Sequence, residues 1–134
     1  MTGFIATYGE PDQLAADLEE LFVRVVFNVA TANRDDHLRN HGFIRSPAGW
    51  RLSCAFDMNP SFKKEEHVLA LDLYQRQPDL ETVLATAEYY RLRPDRAQEI
   101  VGEVCRVVGG WQERAKKLGL TAQECAEAEH LFCT

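Results

Sequence analysis

The sequence predicts a mainly helical domain carrying one small β-hairpin. Apolar residues recur at three- and four-residue spacing over several stretches of the 134-residue chain, the signature of amphipathic helices. Only the stretch 41–55 shows two short strand-like runs about a turn that contains Pro and Gly. Hydrophobic positions make up 46% of the chain and charged ones 27%, which is enough apolar material for one core, so a single domain over 1–134 is expected.

Residues 1–11, ending in Gly9-Glu10-Pro11, read as a lead-in segment. A helix is predicted from Asp12, a residue suited to the N-cap, because Leu14, Leu18, Leu21, Phe22, Val25 and Val29 share one face. Its second half, Val25 to Ala30, is apolar nearly all round and belongs inside the domain. The helix should stop near Asn33, where the Asx side chains of Asn33-Arg34-Asp35-Asp36 offer competing hydrogen bonds to the backbone. His41–Arg45 and Trp50–Ala55 follow as strands around Ser46-Pro47-Ala48-Gly49. Leu80, Val83, Leu84 and Ala87 then mark one helix. Ala97, Val101, Val104, Val108, Trp111, Ala115 and Leu118 mark a longer one, with Gly109-Gly110 as a point of bending. Gly119 is a natural stop, and Thr121 with Glu124 forms a capping-box pattern for a last helix bearing Cys125, Ala128 and Phe132. The chain has no internal repeat or low-complexity tract.

Fifteen Lys and Arg against twenty-one Asp and Glu leave a net charge of −6, the wrong sign for general phosphate neutralisation, so direct nucleic-acid binding is disfavoured. The cysteines at 54, 105, 125 and 133 lack CxxC spacing, and no secretory leader pattern is present, so free, mostly buried thiols in a cytoplasmic protein are expected. No apolar run approaches the roughly 20 residues of a membrane span.

The most polar stretch, Asn33-Arg34-Asp35-Asp36-His37-Leu38-Arg39-Asn40, lies between the most apolar helix and the hairpin. That helix can hold the loop rigidly, and the hairpin can return the chain so that Asp57 lies beside Asp35 and Asn40. Protein kinases use such a set: one Asp orients and deprotonates the attacking hydroxyl, while an Asn and a second Asp hold Mg²⁺ on the nucleotide phosphates. Asp35-x-x-x-x-Asn40 has the separation of the kinase catalytic loop.

These residues also carry a family resemblance. Leu21-Phe22-Val23-Arg24-Val25-Val26-Phe27-Asn28-Val29, then Asp35-Asp36-His37-Leu38-Arg39-Asn40-His41, Trp50-Arg51-Leu52 and Phe56-Asp57-Met58 together resemble the C-terminal domain of the HipA-like serine/threonine kinases, over roughly residues 12 to 132. These kinases are the toxin halves of bacterial toxin–antitoxin pairs. The resemblance implies a kinase C-lobe-like helical fold and an ATP- and magnesium-dependent transferase, with Asp35 as proton acceptor and Asn40 and Asp57 as metal ligands. It also implies nucleotide contacts from His37, Leu38, Arg39, Asn40, Phe56 and Asp57, a helix-turn-helix antitoxin as partner, and a protein substrate, which in some similar proteins is an aminoacyl-tRNA synthetase. Arg34 departs from the small hydroxylated residue the family pattern places before the catalytic Asp, which changes the local charge around Asp35.

A kinase also needs a glycine-rich cover and a lysine on the phosphates. No lysine occurs before Lys63, and no glycines cluster into a phosphate-cradling loop. These groups are expected on an N-terminal kinase lobe absent from this sequence, in the same or a separate chain, and the isolated chain is expected to be inactive. The alternative is a non-catalytic interaction module, derived from such a kinase, that binds an antitoxin or a separate N-lobe chain.

Plainer readings stand beside these. Asp35, Asp36 and Asn40 suit a solvated loop that caps neighbouring backbone groups, and Asp57 suits a turn before Asn59-Pro60. His37 and His41 stand four apart like the zinc pair of HExxH proteases, but the glutamate base is missing. His67 and His130 read as surface or satisfied groups. Lys63-Lys64-Glu65-Glu66 reads as a mixed-charge loop, which the resemblance puts where kinases carry their activation segment. Trp50, Trp111, Tyr89 and Tyr90 read as packing residues.

Overall fold

A single long helix organises the domain. In the computed structural model, which describes residues 1–62 and 79–132, α2 runs Leu14–Ala30 and α1 runs Thr2–Tyr8. The helical spacing of apolar residues on α2 gives it two buried faces. Leu18 and Leu21 pack with Ile5 of α1, while Phe22, Val25 and Val26 pack with Val83, Ala87, Ala97 and Ile100 from the second half of the chain. Phe22 is fully buried, and removing such a ring from water stabilises by about 2 to 3 kcal/mol.

The lead-in segment is therefore a helix with its own share of the core. Isolated apolar residues at Phe4 and Ile5 made too short a pattern to show periodicity. Gly9 ends α1 where the chain turns tightly, since a Cβ there would lie 2.4 Å from the Ile5 carbonyl oxygen. Asp12 does not cap α2. It sits inside a 3-10 turn, Pro11–Gln13, which begins when the Gln13 N–H bonds the Glu10 carbonyl at 3.0 Å.

Strands β1 (Phe43–Ser46) and β2 (Gly49–Leu52) pair antiparallel, with Phe43 opposite Leu52 and Ser46 opposite Gly49. Pro47 and Ala48 alone turn the chain, so Ser46 and Gly49 join the strands, while at the open end the hairpin is shorter than the sequence pattern suggests, since 41–42 and 53–55 lie outside it. Ser53 donates one more bond to the Gly42 carbonyl at 2.9 Å, and 54–57 then leave the ladder.

Two buried side chains of α2 fasten this hairpin. The Asp17 carboxylate accepts from Arg51 Nε and Nη2 and from the Leu52 N–H, each at 3.0 Å. Two turns along, Arg24 Nη2 donates to the Ser53 carbonyl at 2.7 Å. Charge-assisted bonds of this kind are about twice as strong as neutral ones. They fix the height at which the chain enters the segment ending in Asp57.

Helix α3 (Leu80–Ala85) begins where Asp79 accepts from the Thr82 N–H at 2.7 Å, an N-cap. Helix α4 (Pro94–Gly109) lies along α2, and Arg96 Nη2 donates to Glu19 Oε1 at 2.7 Å. The expected long helix is broken, not bent, at the diglycine: α4 ends at Gly109 and α5 (Trp111–Lys117) starts after Gly110. The capping box of Thr121 and Glu124 starts α6 (Ala122–Ala128) as its sequence predicts. Trp111 stacks on Phe132 with ring centroids 4.3 Å apart, closing this end.

Tyr90 packs edge-on against Phe22, at 5.1 Å, but Tyr89 is 63% exposed, contrary to a packing role. Cys54 is exposed, Cys105 half-buried and Cys125 buried, and none of the three is in a disulfide. Burial of most thiols is thus not found. Cys133, His67 and Lys63-Lys64-Glu65-Glu66 lie outside the described residues, and His130 is exposed. Among the described residues no helix is long and apolar enough to cross a membrane.

Candidate functional site

Buried side chains continue the order of α2 into the polar loop after it. Thr31 closes the helix by returning its hydroxyl to the Phe27 carbonyl at 2.8 Å, and Ala32 turns the chain with φ at 49°. Asn33 then goes inside, 2% exposed. Its Nδ2 donates to Asn28 Oδ1 at 3.1 Å and to the Asp57 carbonyl at 3.3 Å, and its Oδ1 accepts the Asp35 N–H at 3.3 Å.

The Asp35 carbonyl accepts Asn40 Nδ2 at 3.3 Å, folding the loop back on itself. Between them lies a 3-10 turn, Leu38–Asn40, set up by the Asn40 N–H on the His37 carbonyl at 2.8 Å. Asn40 is buried, whereas Leu38 and Arg39 face solvent and His37 is half-buried. Asp36 and His41 bracket the turn and meet as a buried pair, Oδ1 to Nε2, at 2.7 Å.

Asp57 arrives from the hairpin side. Its side chain is exposed and its φ is 57°, a left-handed conformation that costs most L-residues about 1 to 2 kcal/mol and that Asp tolerates better than most. Asp57 Oδ1 accepts a long bond from Asn59 Nδ2 at 3.4 Å. Beyond it, Ser61 returns to the loop: its N–H bonds the Ala32 carbonyl and its hydroxyl accepts the Arg34 N–H, both at 3.0 Å.

A small cleft forms where these strands of chain meet. Asn40, Phe56 and Asp57 line it together with Arg24, Asn28, Asp36 and His41. Of the residues the sequence singled out, the cleft thus brings these three together. Asp35, His37, Leu38 and Arg39 lie on the adjoining loop and not on its wall. Asp35 is joined to the cleft through its backbone, by the Asn40 bond.

Charge in the cleft is mixed. Arg24 is 5% exposed; its Nε engages Glu20 at 2.8 Å and Nη2 holds Ser53, while Nη1 is buried without a partner among the described residues. Below the loop, burial of the Tyr90 phenol, together with the nearby charge of Asp36, pushes its pKa up to about 12.

The donor chemistry fits magnesium better than zinc. Because Asn40 commits its amide nitrogen to Asp35, its oxygen is the atom left for a cation, and Asp57 adds an exposed carboxylate. Magnesium is usually held by one or two carboxylates while phosphates and water complete its shell, so two protein oxygens suffice. Zinc has no comparable set: among the described residues no three or more His, Cys, Asp or Glu group suitably for a metal, and His41 is committed to Asp36.

Sequence reading missed Arg24, Asn28 and Asn33 as site-building residues. The signal was available, since Arg24 and Asn28 are polar interruptions in the most apolar part of α2. A family model for the HipA-like C-terminal domain matches residues 1–111. No curated protein matches the chain.

Proposed function

The chain belongs to the family of HipA-like C-terminal domains, and on that premise we propose that it supplies the base and the magnesium ligands of a serine/threonine protein kinase of toxin–antitoxin type. The observation that carries the proposal is the meeting of Asn40 and Asp57 in one cleft, with the Asn40 amide bonded to the Asp35 backbone. The two polypeptide segments, separated by a hairpin, line the same cleft.

Asp35 takes the proton of the attacking hydroxyl on the protein substrate. Asn40 and Asp57 hold Mg²⁺ by side-chain oxygens. Bound there, the ion would neutralise charge on the ATP phosphates and bring them into line with the hydroxyl. His37, Leu38 and Arg39 run along the nucleotide phosphates, and Phe56 sets the wall beside Asp57. An N-terminal lobe, on the same or a separate chain, contributes the glycine-rich cover and the lysine. With its acidic balance, the domain leaves DNA contact to a helix-turn-helix antitoxin.

The test compares transfer of radiolabelled phosphate from ATP to protein by the chain alone and by the chain joined to its native N-terminal lobe. No appreciable transfer by the chain alone, and transfer by the joined protein that Asp35→Asn abolishes, is the expected result. Transfer undiminished in Asp35→Asn would overturn the assignment.

A second reading, a non-catalytic module that binds an antitoxin or a separate N-lobe chain, has one observation in its favour. Among the described residues a groove of about 430 Å³, lined by apolar residues that include Phe27, Val108, Trp111 and Phe132, lies between α2 and the last helices. A joined protein that binds partner but transfers no phosphate would favour this reading.

A further inference from the structure

The base and the metal-binding aspartate sit on segments that are remote in sequence, yet their relative placement decides whether an in-line transfer can occur. One side chain touches both. Asn33 Oδ1 accepts the Asp35 N–H, and Asn33 Nδ2 donates to the Asp57 carbonyl, each at 3.3 Å. The remaining Nδ2 hydrogen goes to Asn28 Oδ1 at 3.1 Å. Both hydrogens of the amide are thus engaged and its oxygen accepts, at a position 2% exposed. A planar amide with committed donors and acceptor cannot let one partner move without turning toward or away from the other.

From this geometry we infer that Asn33 is a positioning residue that couples the placement of Asp35 to that of Asp57. The inference rests on the functional reading above and adds a residue to it. Asn33 touches neither metal nor phosphate in this role. It acts by holding two backbone groups. Asp57 holds its left-handed φ of 57° where its carbonyl accepts from this amide. Val83 is the control, because it is fully buried in the core against α2 and lines no part of the cleft, so a loss of stability alone would act on the two variants alike.

The experiment is a Mn²⁺ titration of the full chain, read by paramagnetic broadening of the Asn40 side-chain amide and of the Asp35 and Asp57 backbone amides. Thermal unfolding is measured on each variant in parallel. In the parent, Asn40 and Asp57 should broaden at the lowest Mn²⁺, with Asp35 following on the same curve. Asn33→Ala should raise the midpoint at Asp57 at least fivefold and separate the Asp35 response from it. Val83→Ala should leave the midpoint within twofold of the parent even though it lowers the melting temperature.

A parental midpoint in Asn33→Ala, or equal shifts in the two alanine variants that track their loss of stability, overturns the coupling while leaving the functional reading in place. A parent in which neither Asn40 nor Asp57 responds overturns that reading and the coupling with it. If Asn33→Ala does not fold, Asn33→Ser is read in its place, since its shorter side chain cannot reach both backbone groups.

Discussion

Raising the pH through the range where tyrosine ionises should destabilise this domain by an amount set at Tyr90. The ring packs against Phe22, and burial together with the Asp36 charge raises the phenol from the ordinary 10 to about 12. The neutral form is the one the fold favours, so its stabilisation is complete below pH 10. It is lost as pH rises toward and past 12, because the unfolded chain releases the proton first. Two pH units at about 1.36 kcal/mol each set a ceiling near 3 kcal/mol, of which about 2 is lost by pH 12. Urea unfolding of parent and Tyr90→Phe, from pH 8.5 to 12, isolates this contribution, since other alkaline effects are common to both proteins. Tyr90→Phe should gain about 2 kcal/mol on the parent across that range. A difference that stays constant within about 0.5 kcal/mol, or a Tyr90 phenol that titrates near the ordinary value of about 10, would refute the placement of Tyr90 beneath the loop.

Other perturbations separate core from fastening. Phe22→Ala should cost about 3 to 5 kcal/mol in urea unfolding with an unchanged slope, because it empties the centre where α2 meets α3 and α4. Asp17→Ala should lower the urea midpoint and speed amide exchange at Leu52, whose N–H loses its carboxylate. Exchange at Leu52 unchanged from the parent would show that Asp17 does not hold the hairpin. Gly49→Ala should destabilise clearly, since the added methyl would meet the Glu10 backbone nitrogen at 2.7 Å.

Much of this architecture was legible from apolar spacing alone. The helical face of α2, the hairpin and the capping box of α6 appear as the sequence implied, because each depends on short-range pattern or on side chains within one turn. The break at Gly109-Gly110 and the helix at Thr2–Tyr8 were not legible in that way. One turns on whether tertiary packing holds a diglycine in line, the other on a single buried Ile5. The site divides similarly. The spacing of Asp35 and Asn40 is local and visible, and Asp57 follows from the hairpin between. The bonds that set their mutual positions run from Arg24 and Asn33 to backbone groups far along the chain, with Asn28 holding the Asn33 amide, and periodicity carries no record of such bonds.

The proposed function assigns different chemical tasks to Asp35 and Asp57, and these can be separated directly. In the chain joined to its native N-terminal lobe, phosphoryl transfer from ATP is measured for the parent, Asp35→Asn and Asp57→Asn as Mg²⁺ is raised from limiting to saturating. A neutral amide is a poorer ligand for a hard dication, so excess Mg²⁺ should partly restore Asp57→Asn. Metal cannot replace a missing proton acceptor, so Asp35→Asn should stay inactive throughout. Equal rescue of both variants, or parental rates in both at limiting Mg²⁺, would contradict the account.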